Sequence, residues 1–541
     1  MPGKRHVKGR LAAAGVVAAL LGLLLASPGS THATREGGTF RIGIPAQLFG
    51  PSIDWALPFT RSSALVLDAT CAGLLTTPDK PLPGGYRIVP EVAVDYPRIT
   101  NGGRTYTFRV RRDFRFSTGK RVTASDFAYS VNRVLRLDEV ADAYSAVVGA
   151  QAVRDGNAST ASGIVARGDT LTIRLTRPVG RFTSVIGFEC VLPRGTPADP
   201  EGVKAPIAGA GPYYVSQFVL GRRVVLERNR FYSGARPRHL DRFVIDLTLG
   251  SPGVLDRVER GELDHGWVTN ADYAPRAEEL KRKYGVGRSR FFVTPGTFLR
   301  MFVLNTERPL FRDNLRLRQA INFAVDRKAL LRERGPLAGY LTEQYLPPTF
   351  PGFRNERIYP LKGPDLAKAK ALAAGRTRGG KAVLYVPAIP LGAAQGQIVK
   401  RNLAQIGLDV EIMSFPPPVL FEKMATRGEP FDIAWIGWDA GGPVPDPALL
   451  EIFDGRTIGT PTNQNFSYFD SPRYNQRLAA ASRLPVGPER SRVYGELDVD
   501  LARNAAPAIA YAYDNVLTFV SARTACVVVN PYLDLAAVCL K

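Results

Sequence analysis

Histidine, cysteine, methionine and tryptophan each occur only four times in 541 residues, and that scarcity removes most of the chemistry a long chain can carry. His6 and His32 lie in the first 33 residues, so His239 and His265 are left for everything downstream. Neither stands in an H-E-x-x-H arrangement or at a metal-ligand spacing, and both read as structural or surface residues. A Ser-His-Asp machine needs an imidazole or equivalent base beside the nucleophile, and no G-x-S-x-G elbow is present. C-x-x-C is absent as well, which excludes a thioredoxin-like or zinc-ribbon role. A single segment, Gly375-Arg376-Thr377-Arg378-Gly379-Gly380-Lys381, fits G-x-x-x-x-G-K. Ala382 then stands where a magnesium-binding hydroxyl is required, and the segment precedes a strand pattern instead of following one, so it reads as a cationic loop. No catalytic residue, cofactor or metal is therefore assigned, and an enzyme is not expected. Internal repeats are lacking too, which excludes a solenoid or propeller.

No uncharged apolar run reaches the ~20 residues that span a bilayer. Lys4, Arg5, Lys8 and Arg10 precede the uncharged stretch Leu11 to Ala26, and small residues then lead to Thr31-His32-Ala33. This is the layout of a secretory signal over residues 1–33 with cleavage after Ala33, an uncleaved signal anchor being the alternative. No cysteine follows the apolar run, so the lipid-attachment box is missing. The expected address is the periplasm or the outer face of the cytoplasmic membrane, peripheral to it. The cysteines, Cys71, Cys190, Cys526 and Cys539, all lie beyond the signal, and an even count in an exported chain favours disulfides. Four cysteines allow three pairings; Cys71 with Cys190 and Cys526 with Cys539 is preferred, because the second pair brackets a hairpin pattern around Asn530-Pro531.

The formal charge of +22 would suit a nucleic-acid binder. The basic residues are spread along the chain, however, and export keeps it from nucleic acid, so they read as solvated faces attracted to anionic surfaces. With 45% hydrophobic residues the chain can bury large cores, and its length implies more than one domain.

Between Thr105 and Leu135, Tyr106, Phe108 and Val110 alternate with Thr107, Arg109 and Arg111, as in a half-buried strand. Ser117 to Lys120 is a turn, Thr123 with Asp126 forms a capping box, and Phe127, Val131, Val134 and Leu135 make a helical stripe. Strand, then F-x-T/D-G-K/T-x-V/L-T-A-x-D-F/V-x-x-S-x-x-R, resembles the signature of the family 5 extracellular solute-binding proteins, the peptide, nickel and oligosaccharide binders that feed ABC importers. Further segments resemble the same family in order: Cys71-Ala72-Gly73-Leu74-Leu75-Thr76, Val89-Pro90-Glu91-Val92-Ala93, Gly211 to Asn229, Gly261-Glu262-Leu263-Asp264, Met301 to Thr306, and Asp313 to Arg327. Asp326 reads as the cap of a following helix. Ala382 to Val386, Gln395 to Ile406 and Leu408 to Met413 read as strand, helix and parallel strand.

The resemblance implies an α/β, two-lobed periplasmic-binding-protein fold of the type II (Venus-flytrap) kind, with an extra subdomain on the first lobe. Residues 34–60, 175–295 and 511–541 would form lobe I, 61–174 the extra subdomain and 296–510 lobe II. Crossings are expected near Phe291 to Phe298 and Ala508 to Tyr513, with the remainder to Lys541 completing the first sheet. Partners would be a short peptide or similar small solute and the permease subunits of an ABC transporter, and a monomer is expected. Oligosaccharide binding and a secreted hydrolase on the same scaffold stay open.

Ligands of open α/β sheets bind beyond the carboxyl ends of strands. The site is therefore sought at Trp435-Ile436-Gly437-Trp438-Asp439 and the loop up to Asp446-Pro447. Peptide-binding relatives resemble this with W-x-x-D-x-x-D/E-P, whose first Asp meets the peptide ammonium. Here the loop is two residues longer and Pro443 falls at that place, so either Asp439 is the substitute or a free amino terminus is not recognised. Trp435, Trp438, Asp439, Asp446 and, less directly, Trp55 are the expected ligand-binding residues. Core tryptophans and turn aspartates are the plainer alternative.

Overall fold

The computed structural model describes residues 36–541 except 58–59, 83, 139–143, 204, 440–445 and 460–462, with backbone alone for 446–448. The leader read at 1–33 lies outside the described residues. Among those described, no helix is long and apolar enough to cross a membrane.

In the first lobe, Phe40 and Ile42 alternate with the exposed Arg41, and the strand Thr39–Gly43 they form pairs in parallel with Arg242–Asp246 and His265–Gly266. The hairpin Tyr213–Val219 with Arg223–Arg228 completes a five-stranded sheet and turns at Gly221, whose φ of 67° suits a residue without a Cβ. Its core takes Leu65 and Val66 from the helix Arg61–Thr70, which the sequence assigns to the extra subdomain. The C-terminal segment does not extend this sheet as expected. Thr524–Ala525 and Cys539–Leu540 pair only with each other, while Leu533, Leu535, Val538 and Leu540 fill the core from outside. Both preferred disulfides are formed, Cys71 with Cys190 and Cys526 with Cys539.

The opening motif folds as its pattern requires. Thr105–Arg109 lies in a four-stranded antiparallel sheet, Gly119 turns at φ 83°, and Asp126 accepts from the Thr123 backbone N–H at 2.9 Å ahead of the helix Ala124–Leu137. Phe127, Val131, Val134 and Leu135 are all buried in that subdomain's core. Arg133 leaves the same helix to form a fully buried ion pair with Asp54.

The second lobe is built on six strands in the order Gly339–Leu341, Ala508–Phe519, Phe291–Leu304, Ile433–Asp439, Lys381–Pro387 and Asp409–Phe415. The last two are parallel and joined by the helix Pro390–Ala404, and Asp326 caps its helix through the Ala329 N–H at 2.9 Å. The loop 375–380 precedes the strand Lys381–Pro387, an arrangement opposite to that of a phosphate loop.

Two long strands, Phe291–Leu304 and Ala508–Phe519, belong to both lobes. Residues 291–295 pair with 515–519 beside the first lobe, where Val520 bridges to His265, and residues 299–303 pair with 508–513 inside the second. The register slips between Pro295 and Leu299, and at Gly296 a Cβ would lie 2.7 Å from the Asp514 carbonyl oxygen. One crossing falls within the expected Phe291 to Phe298 and the other at Asp514 and Asn515, just past the expected Ala508 to Tyr513, with a bulge between the lobes.

Candidate functional site

The strand Ile433–Asp439 lies antiparallel to Phe291–Leu304, with Asp439 opposite Phe298 and Gly437 opposite Arg300. The two-residue period sends Ala434, Ile436 and Trp438 into the second lobe's core and leaves Trp435, Gly437 and Asp439 on the other face. Gly437 is required there, since a Cβ would lie 2.2 Å from the Phe298 ring and 2.6 Å from Arg300 Nη1. With no side chain in the way, the Arg300 guanidinium rests 4.0 Å from the Phe298 centroid and 5.6 Å from the Trp435 ring. Trp435 is fixed in turn by donating Nε1–H to Gln395 Oε1 at 2.8 Å.

Trp435 of this face lines a chamber of about 530 Å³ between the lobes, and Asp439 lines the cavity beside it. The first lobe contributes Arg61, the segment His265 to Ala271, Asn515 to Thr518 and Pro531 to Leu533; the second contributes Gly296 to Phe298, Arg300, Arg334, Trp435 and Asp514. Beside this chamber an ion pair joins the lobes, Arg61 Nη2 to Asp439 Oδ2 at 2.8 Å, while Thr297 Oγ1 donates to Asp439 Oδ1 at 2.8 Å and Arg61 stands 4.2 Å from the Phe298 centroid. Both partners keep partial access to water, so the pair contributes about 0–1 kcal/mol to closure. Deeper in, Asp514 accepts from both Arg300 and Arg334. His265 sits against the Phe519 carbonyl, which only a protonated Nδ1 can approach at 3.1 Å, and burial presses its pKa down to about 4.

A second cavity of about 750 Å³ adjoins the first and shares Thr297, Pro531, Tyr532 and Leu533 with it. Its walls carry Trp55, Asp439, an edge of Trp438 and several buried carboxyls. Burial is the main cause that pushes Glu189 and Asp534 up to about 7 and Glu91 above its usual range, with Arg236 pulling Glu91 and Asp534 back.

Of the residues picked from the sequence, Trp435 and Asp439 line this cleft from one strand face, and Trp55 lies half-buried across the second cavity. Trp438 points the opposite way and is only 7% exposed, a core residue with one edge at the cavity. Pro443 and the side chain of Asp446 lie outside the described residues; the backbone at Asp446 begins the helix Asp446–Phe453. Arg61, Phe298, Arg300, Arg334 and Asp514 were not picked. Charges such as Arg300 in PGTFLRMFVL and Asp514 in AIAYAYDNVLTF interrupt otherwise apolar strands, and that was the available signal.

Residues 87–460 match the profile described as bacterial extracellular solute-binding proteins, family 5 middle region. The chain is 25% identical over 487 residues to heme-binding protein A of Haemophilus influenzae, covering 83% of each. It is 24% identical over 402 residues to oligopeptide-binding protein OppA of Bacillus subtilis, covering 70% of this chain and 71% of the other. Among solved structures it superposes on the clavulanic acid biosynthesis oligopeptide binding protein 2 with a TM-score of 0.82 at 24% identity, over 94% of this chain and 96% of that one. On Helicobacter pylori DppA in complex with a peptide the TM-score is 0.69 at 22% identity, over 94% and 98%.

Proposed function

The chain belongs to the family 5 bacterial extracellular solute-binding proteins, and from that premise we propose that it is the exported binding component of an ABC importer, closing its lobes over a short peptide and presenting the closed form to a membrane permease. The observation that carries this reading is a chamber whose walls come from both lobes and whose crossing strands slip register between them. A hinge at that slip would let ligand enter and then be removed from water. Relatives named for oligopeptide binding and for peptide transport support the ligand class. Two disulfides fit an address outside the cytoplasm.

Asp439 is the proposed polar contact of the second lobe, yet its carboxylate already holds Arg61 and Thr297. An incoming ammonium must displace a guanidinium at 2.8 Å, so a free amino terminus gains little over a blocked one. Thermal-shift titration with a short-peptide library, followed by mass spectrometry of molecules released on denaturation, tests the proposal. Peptides raising the melting temperature without being consumed support it; their turnover would point to the hydrolase alternative. If repeated preparations release nothing and no peptide shifts the melting temperature, the peptide-import reading fails. Asp439→Ala tests the site separately: unchanged peptide affinity removes Asp439 from it.

A further inference from the structure

The extra subdomain reaches past the first lobe and touches the second at two points. At one of them Gly180 donates its backbone N–H to the Ser482 carbonyl at 2.8 Å. A Cβ there would lie 2.1 Å from that oxygen and 2.4 Å from the Leu484 carbonyl oxygen, and backbone cannot swing aside as the end of a flexible side chain can. Val179 packs on the subdomain core and accepts from the Tyr106 hydroxyl at 3.2 Å, while Phe182 starts a helix in the same core, so Gly180 is held from both sides. Ser482 and Leu484 stand at the end of the helix Pro472–Arg483, whose Ala481 is in the second lobe's core. At the other point the Tyr86 hydroxyl lies 3.1 Å from Thr349 Oγ1, and its ring meets Phe350 edge to face with centroids 5.4 Å apart. Both points stand away from the strand crossing: the cavity of about 750 Å³ runs from Thr297, beside the register slip, to Tyr86 and to Arg181, the neighbour of Gly180. Gly180 itself lines neither cavity.

We propose that the extra subdomain is a clasp: through Gly180 and Tyr86 it holds the second lobe closed from the side of the cavity away from the strand crossing, and so sets how much of the chain is closed. This role rests on the hinged, two-lobed reading above. Opening about the slip between Pro295 and Leu299 must part Gly180 from Ser482 and Tyr86 from Phe350, since each pair joins one lobe to the other. A two-state equilibrium moves only by what differs between its states, and these contacts belong to the closed state alone. Gly180 lies outside the left-handed backbone region that favours glycine, so the closed contact is what requires a residue without a Cβ.

The test uses the full mature chain with no solute added, so a failed clasp leaves the peptide titration above to decide the ligand class by itself. In hydrogen exchange read by mass spectrometry, the Gly180 amide of the unaltered chain should exchange at least about tenfold more slowly than an unprotected glycine. Gly180→Ala should give a larger radius of gyration in small-angle scattering, whereas Ser482→Ala, which keeps the accepting carbonyl, should leave the curve unchanged. Tyr86→Ala should speed exchange at the Gly180 amide about tenfold from the other point of contact, because both points open together. Circular dichroism and melting curves establish that each variant is folded, and where one is not, the Gly180 amide of the unaltered chain decides. An unprotected Gly180 amide, a Gly180→Ala chain as compact as its parent, Ser482→Ala opening the chain as far as Gly180→Ala, or exchange at Gly180 indifferent to Tyr86→Ala overturns the clasp.

Discussion

Arg133 and Asp54 form an ion pair from which water is excluded, with side-chain exposures of 0% and 1%, and replacing one partner should be far more damaging than the surface ion pairs would suggest. Arg133 Nη1 donates to Asp54 Oδ1 at 2.8 Å, Nη2 donates to Oδ2, and Nε donates to the Pro197 carbonyl at 2.8 Å, so the guanidinium ties the subdomain helix to two other segments. In Arg133→Met the Asp54 carboxylate would keep, among the described residues, the Ala56 backbone N–H at 3.1 Å and lose the Arg133 guanidinium. An uncompensated buried charge of this kind costs about 3–5 kcal/mol. For a chain of this size that corresponds to a melting temperature lower by about 3–5 °C. Asp54→Leu should cost a similar amount, and Arg133→Met with Asp54→Leu should recover about 2 kcal/mol relative to the sum of the single changes. Differential scanning calorimetry and urea unfolding on all four proteins provide the cycle. Single variants within about 1 kcal/mol of the parent, or strictly additive costs, would refute the reasoning.

Stability should rise as the pH falls from 8 to 6: burial lifts Glu189, Asp498 and Asp534 to about 7, so the folded chain binds protons there that the unfolded chain does not. His265, lowered to about 4, acts oppositely between about 6.5 and 4, and a melting temperature that falls steadily from pH 8 to 6 would contradict the assignment. Breaking Cys526–Cys539, which spans 13 residues, should cost about 3 kcal/mol and breaking Cys71–Cys190, which spans 119, about 5 kcal/mol, read by unfolding of the paired Ser variants. Gly296→Ala should disturb the strand crossing, because its Cβ would meet the Asp514 carbonyl at 2.7 Å; ligand affinity should drop severalfold, and an unchanged affinity would remove Gly296 from the hinge.

Local patterns were highly legible. The Thr123 capping box, the Asp326 cap and the parallel strands around Pro390–Ala404 all follow from spacing within a few residues, and each is present. Even the signature residues Ser130 and Arg133 acquire reasons only in three dimensions: Ser130 Oγ accepts the Leu192 N–H at 2.9 Å, and Arg133 reaches Asp54, 79 positions away. The terminal segment was misplaced because apolar alternation does not distinguish a strand that joins a sheet from a short hairpin packed against it. At the site, Trp435 and Trp438 look alike in sequence, but the strand's two-residue period puts them on opposite faces.

The element order and the cysteine pairing preference were legible along the chain because they depend on periodicities and turn residues that act over short distances, and the family scaffold because its motifs recur here in order. Tertiary structure alone decided which charges face the cleft. Arg61, Arg300, Arg334, Asp439 and Asp514 come from five separate segments, brought together by the pairing of two long strands and the approach of a helix from the other lobe. Their charge balance is a property of that convergence, since electrostatic need is set by neighbours in space and by the exclusion of water, neither of which spacing along the chain encodes.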